Sequence, residues 1–289
     1  MPFPTAPPAS AVSARSKAIE CLDLLPPLSP VVGRLLSQLA SGNLTYKLLS
    51  DFVQKDVLLC AHILRTVNSA AYARPRSINS VAQAMSLLGV NKLRRIVAGF
   101  GLTNLFTKTK IAPTWSRMRF NLHSGATGIL TEAIVDAMPV VDKEGAFVAG
   151  LMHDLGRLML AVALPEEYET INAMVAISGG DYTTSEREAL GFDHAELAGL
   201  ALTKWKLPEL ICRAATYHHS PEHPNAPWLA TVVHRADRFV DYLGVAINQP
   251  SSGTQTEPPQ LDIPGFEFDQ QAVLEQFEKE WKELSEFFR

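Results

Sequence analysis

The sequence predicts an all-α chain. Apolar residues recur at i, i+3 and i+4 spacings in one segment after another. Ser, Asp, Pro and Gly stand where such segments would begin and end. No stretch keeps a sustained period-2 alternation bounded by hairpin turns.

The elements follow in order. Residues 1–14 are rich in Pro, Ala and Ser and are expected to be a disordered lead. Ser29 suits an N-cap and Pro30 a first helical position, and Gly42 would stop that helix. Asp56 could cap a second helix through Leu58, Leu59, Ile63, Leu64 and Val67. Val81, Ala84, Met85 and Leu88 build a third that Gly89 closes, and Leu93, Ile96 and Val97 mark a fourth over Lys92 to Leu105. Trp115 to Met138 reads as one long helix ended by Pro139. Lys143 to Leu164 is helical in pattern with an expected break at His153-Asp154. Glu166 to Ile177, Ala195 to Trp205, Pro208 to Tyr217 and Trp228 to Leu243 complete the main set. Residues 248–265 read as a linker or surface wrap. Asp269 to Phe288 reads as a charged helix with Val273, Leu274, Phe277, Trp281, Leu284 and Phe288 on its apolar face.

Composition narrows the classes. With 47% hydrophobic and 19% charged residues the chain is globular rather than disordered. No uninterrupted apolar run approaches the roughly 20 residues that span a bilayer. The first residues lack the basic and apolar regions of a signal peptide. Cys21, Cys60 and Cys212 are odd in number and widely spaced, so a disulfide framework is not expected and a reducing cytoplasm fits.

Charge is unevenly spread. Residues 57–131 contain ten basic residues and no acid, while the rest of the chain holds 16 basic and 30 acidic residues. Lys92, Arg94 and Arg95 are the densest cluster, and Lys92 and Arg95 share a helix face. Three readings stand side by side: a solvated basic face, an internal counterpart in the acidic tail, and an anionic partner bound at Lys92, Arg94 and Arg95. From Pro250 onward the tail carries nine acidic and three basic residues.

Five histidines fall in ligand-like contexts: His123 in NLHSGATGI, His153 in GLMHDLGRL, His194 in GFDHAELAG, and His218-His219 in ATYHHSP. Asp154 follows His153, and Asp237 lies in VVHRADRFV. Imidazoles and carboxylates without thiolates suit one or two divalent ions such as iron, manganese or zinc, and no other cofactor is indicated. Adjacent residues on a helix point about 100° apart, so His153 and Asp154 could share a cation only where the helix ends or bends. His62, His223 and His234 read as ordinary core or surface histidines.

The order His123, His153-Asp154, Asp237 resembles the HD superfamily of metal-dependent phosphohydrolases. The phrases NSAAY, INSVAQAMSLLG and GLMHDLGRL narrow it to the HDOD domain of bacterial signalling proteins, over approximately residues 20–245. The resemblance implies an N-terminal helical lobe over 15–112 packed on an HD-like helical lobe over 113–247, with 248–289 as linker and acidic helix. It implies a regulatory or interaction module in signal transduction. The alternative is a phosphohydrolase or phosphodiesterase acting on a nucleotide or cyclic dinucleotide.

By resemblance to cyclic-di-GMP phosphodiesterases of the HD-GYP type, His194, His218 and His219 look like additional ligands. Asp154 would bridge two ions, and Arg157 would stabilise developing negative charge. The chain departs from those enzymes in two places. Ser220-Pro221-Glu222-His223-Pro224 replaces the Gly-Tyr-Pro segment, and Arg157 stands where they have Lys. A signalling protein is the expected partner and a nucleotide a candidate ligand; nucleic acid and membrane are not expected.

Overall fold

The computed structural model of the chain describes residues 16, 18–23, 37–38, 45–54, 57–68, 78–106, 109–140, 143, 145–248 and 257–285. The expected lead over 1–14, the Ser29–Gly42 boundaries, the Asp56 cap, Phe288, and NSAAY beyond its Asn68 lie outside these residues, as does 249–256 of the linker.

The helices named below occupy the expected segments with two additions, and among the described residues, 18–23 are helical as well. In chain order they are α1 (Tyr46–Gln54), α2 (Val57–Val67), α3 (Val81–Thr103), α4 (Arg117–Ala137), α5 (Ala146–Met152) and α6 (Leu155–Ala163). There follow α7 (Pro165–Ser178), α8 (Tyr182–Leu190), α9 (His194–Lys204), α10 (Glu209–Tyr217), α11 (Trp228–Tyr242) and α12 (Gln270–Leu284). Helices α1 and α8 are the additions. The apolar period of α8 is weak, but Asp181 accepts from the Thr184 amide at 2.8 Å and Gly191 ends the helix in the left-handed region. Among the described residues there is no strand, only an isolated bridge between Ile263 and Phe266.

The first three helices pack on one another, and α3 also meets α4 and α5. Gly89, at φ 74°, kinks α3 where the sequence predicts a boundary between two helices. Asn68 clasps the Ile78 backbone, donating to its carbonyl and accepting from its amide, both at 2.8 Å. That clasp fixes the entry to α3, where Ser80 accepts from the Gln83 amide. It gives a physical role to the Asn of NSAAY and to the start of INSVAQAMSLLG.

Helices α4 and α5 are the centre of the molecule. Fifteen residues of α4 between Phe120 and Val135 are buried, as is every residue of α5. The two pack closely because Gly150 has no Cβ; one there would lie 2.5 Å from Thr131 Oγ1 and 2.7 Å from the Thr127 carbonyl. Ala146–Ala163 has the length and mean hydropathy of a membrane span, which a count of uninterrupted apolar runs passes over. It is 89% buried inside the fold and broken at His153-Asp154. Helices α9, α10 and α11 pack in sequence around this centre, and α12 lies along α4.

The basic cluster meets the chain's own carboxylates. Arg94 and Arg95 of α3 both pair with Glu132 of α4, with Arg95 Nε 2.6 Å from Glu132 Oε2. Arg95 also pairs with Glu280 and Lys92 with Glu283, both on α12. Of the three readings, the internal counterpart is present among the described residues: Glu132, Glu280 and Glu283 pair with this cluster. The acidic tail supplies Glu280 and Glu283 because α12 docks its apolar side on α4, burying Val273, Phe277 and Leu284.

Candidate metal centre

Each ligand-like residue is placed by a helix end or a buried helix face. His123 sits on the buried side of α4. Helix α5 ends at Met152, His153 is its C-cap, and Asp154 (φ −95°, ψ 14°) leaves the helical region before α6 begins. The expected break is therefore present, and it lets both side chains turn inward. His194 opens α9 behind the Asp193 cap, His218 closes α10, and Asp237 lies on the inner face of α11. Gly156 does more than end a helix. A Cβ at that position would lie 1.9 Å from the His194 carbonyl oxygen, so its absence allows α9 to touch α6.

The seven residues converge. Asp154 Oδ2 is 3.8 Å from His123 Nε2 and 3.7 Å from His153 Nε2. Its other oxygen, Oδ1, is 3.0 Å from His194 Nε2 and 3.5 Å from His218 Nε2. Asp237 Oδ1 is 3.1 Å from His123 Nε2 and 3.5 Å from His153 Nε2. His219 closes the second group from its exposed edge, its Nε2 2.9 Å from His194 Nε2. Four overlapping donor sets result among the described residues: His123, His153 and Asp154; Asp154, His194, His218 and His219; His153, His218 and Asp237; and His123, Asp237 and Asp241, with donor atoms of each within 4.8 Å of one another. Asp154 belongs to the first two and Asp237 to the last two.

The outer hydrogen bonds orient the rings. Nδ1 of His153 faces the Gly150 carbonyl at 2.8 Å, and that of His218 the Ala215 carbonyl at 2.7 Å. Nδ1 of His123 faces the Val245 carbonyl at 3.0 Å, and that of His194 faces Glu186 Oε2 at 2.6 Å. Carbonyls and carboxylates only accept, so in the neutral, metal-binding form of each ring Nδ1 carries the proton and the Nε2 lone pair turns inward. His123 and His153 then oppose lone pairs at 3.3 Å, while His218 Nε2 and Asp154 Oδ1 are buried with no hydrogen-bond partner. A buried set of acceptors without donors repels itself unless protons or cations enter. The donor set fits a metal ion.

Protonation follows that crowding. Burial opposes a charge on His123, yet Asp237, Asp241 and Asp154 lift its imidazole to about 9. Burial likewise opposes, and Glu186 and Asp154 raise, the His194 imidazole to about 10. Burial together with neighbouring imidazoles holds His218 low, and the same causes act on the inward-facing ring nitrogen of His219, whose outer edge is exposed. Despite burial, Asp154 is held well below the usual carboxylate range by His153 and His194. His123 and His153 do the same for Asp237.

Arg157, one turn beyond Asp154, lies beside the centre. Its Nη1 is 3.7 Å from Asp154 Oδ2, and its guanidinium sits 4.3 Å over the Tyr182 ring. Its Nε and Nη2 are buried with no hydrogen-bond partner. Lys92, Arg94 and Arg95 stand apart, committed to the contacts described above. Of the three histidines set aside, His234 Nδ1 faces the His218 carbonyl at 2.7 Å and His223 stacks on Tyr217.

Two carboxylates escape sequence reasoning. Asp241 lies one turn after Asp237 on α11, 3.4 Å from His123 Nδ1, and that i, i+4 spacing is a usable signal. Glu186 accepts from both Nδ1 and the backbone amide of His194. It comes from α8, whose approach to His194 has no sequence pattern.

The HDOD domain family description matches residues 25–221. An uncharacterized protein of Treponema pallidum (strain Nichols) is 25% identical over 203 residues, 67% of this chain; the chain spans 39% of that relative's length. A solved HDOD domain protein of unknown function from Geobacter sulfurreducens has 20% identity and a TM-score of 0.76, over 96% of this chain and 98% of its own. A structure from Marinobacter aquaeolei VT8, provisionally named a signal transduction protein, has 21% identity and a TM-score of 0.72, covering 96% and 65%. One from Shewanella amazonensis SB2B, provisionally named a phosphohydrolase, has 23% identity and a TM-score of 0.71, covering 94% and 97%. These three likenesses establish the all-α fold.

Proposed function

The chain belongs to the HDOD domain family, and on that premise we propose that it is a signal-transduction module that works through protein contacts and keeps a metal-holding HD-type centre. One observation carries the metal half of this reading: four rings pinned through Nδ1 aim Nε2 lone pairs at two buried carboxylates and at each other. The module half is supported by the HDOD resemblance, by the signal-transduction name of the Marinobacter neighbour, and by the segment Ser220–Pro224 replacing Gly-Tyr-Pro.

The test is metal content. Purified chain loaded with manganese or iron under reducing conditions should hold about one to two ions, and Asp154→Ala should hold far less. Wild-type protein holding under about 0.1 ion per chain after loading would overturn the metal half.

A second reading, metal-dependent phosphohydrolysis of a nucleotide, is favoured by Arg157. Two of its nitrogens are buried without partners beside Asp154, and the Tyr182 ring holds the guanidinium there. Such a group binds and orients a phosphoryl oxygen and stabilises charge developing on it. A bound cation in this centre supplies Lewis acidity and an activated water. Asp154 and Asp237 stay ionised and so accept no proton from buffer at neutral pH. A nucleotide panel decides the matter: turnover in wild type that Arg157→Ala and Asp154→Ala each remove supports hydrolysis. Equal rates in all three proteins mark a contaminant.

A further inference from the structure

The acid-free block and the acidic tail meet in a specific way that the metal centre does not use. On α3, Lys92 and Arg95 are three residues apart; on α12, Glu280 and Glu283 are three residues apart, and the pairs match. Beside these charges α12 presents an apolar row, with Val273, Phe277 and Leu284 buried and Leu274 and Trp281 half-buried. The covered surface therefore selects two features at once: carboxylates at i, i+3 and an adjoining apolar stripe. A nucleic acid would supply anions but no stripe.

The arginines also have a partner outside the tail: Glu132, on α4, holds both Arg94 and Arg95. Arg95 therefore has a carboxylate partner whether or not Glu280 is in place. Nearby, burial and the Glu132 charge, with a smaller contribution from Glu280, push the Asp136 carboxyl up against the pull of Lys143 and Arg95. The tail is covalently part of the same chain, so its docking is intramolecular and takes place at an effective rather than a bulk concentration.

We propose that the α3–α4 surface under α12 is a docking site for an acidic amphipathic helix of a partner protein, with α12 as the internal competitor that covers it. The proposal rests on the reading of the chain as an interaction module and identifies where it would interact.

The test uses the full chain and a labelled peptide of residues 269–289 followed by fluorescence anisotropy. Glu280→Lys with Glu283→Lys should undock the tail, so this variant should bind the peptide at least about tenfold more tightly than wild type. Adding Lys92→Glu should abolish the gain, and a peptide carrying Glu283→Lys should restore it. A folded double variant that binds the peptide no better than wild type overturns the proposal. So does equal binding of a peptide with both glutamates changed to Gln, or equal competition by a single-stranded oligonucleotide. Should the double variant not fold, a protease site placed within 251–256 of the wild-type chain serves instead. After cleavage the labelled peptide should exchange onto the intact fold, and absence of exchange overturns the proposal. Metal content and turnover are untouched by these measurements, so a failure here removes this surface while the module reading keeps its own tests.

Discussion

Nε2 of His194 lies 3.0 Å from Oδ1 of Asp154, across a contact between α9 and α6 that only a glycine at position 156 permits. Asp154 thereby addresses two donor sets with its two oxygens, and the second set depends on a backbone approach remote from the ligands in sequence.

Gly156→Ala should damage the centre without touching a ligand. The added methyl meets the His194 carbonyl and forces α9 outward. Overpacking of this kind costs about 1–3 kcal/mol. Thermal unfolding should show the loss, and metal stoichiometry should fall in the protein that remains folded.

Glu186→Gln should weaken metal binding while leaving every ligand in place. Glu186 fixes the ring of His194 and strengthens it as a donor through the Nδ1 hydrogen bond. Losing such an outer carboxylate typically costs about 10- to 100-fold in affinity. Chelator competition against wild type measures it, and an unchanged affinity would show that the ring is held by packing alone.

Metal affinity and metal-free stability should move in opposite directions with pH. His123 and His194 have folded values of about 9 and about 10 against an ordinary 6.5. Groups raised on folding contribute stability that is complete below pH 6.5 and lost as pH rises through 9 to 10. Chelator-treated protein should therefore be less stable to urea at pH 9.5 than at pH 6.5, other groups being unchanged. Cations displace those protons, so affinity should strengthen over the same range with measurable proton release.

Glu132→Ala should be a strongly destabilising single change in α4, where Glu132 is buried. It removes the carboxylate shared by Arg94 and Arg95, and Arg95 is only 4% exposed. Breaking one side of a buried pair costs about 3–5 kcal/mol. Urea unfolding at unchanged m-value would check it. A loss under about 1 kcal/mol would mean that Glu280 alone satisfies Arg95.

Among the described residues, the sequence by itself determined the helices with strong apolar periods, the kink at Gly89, the break at His153-Asp154, and the residue types of the centre. Those features are local: a 3.6-residue period, a cap or a glycine acts within a few positions. It left α1 unseen despite the apolar period of YKLLSDFVQ, and α8 unseen because YTTSEREAL carries little apolar period. It also left open whether the basic block faced solvent, a partner or the tail. Only the tertiary structure decided that Arg95 lies between Glu132 and Glu280, that Glu186 stands behind His194, and that Asp154 faces two sets of imidazoles. Each of these is a meeting of side chains from helices far apart in the chain. Their distance is set by how backbones pack where side chains are small, as at Gly150 and Gly156, and packing of that kind leaves no period to read.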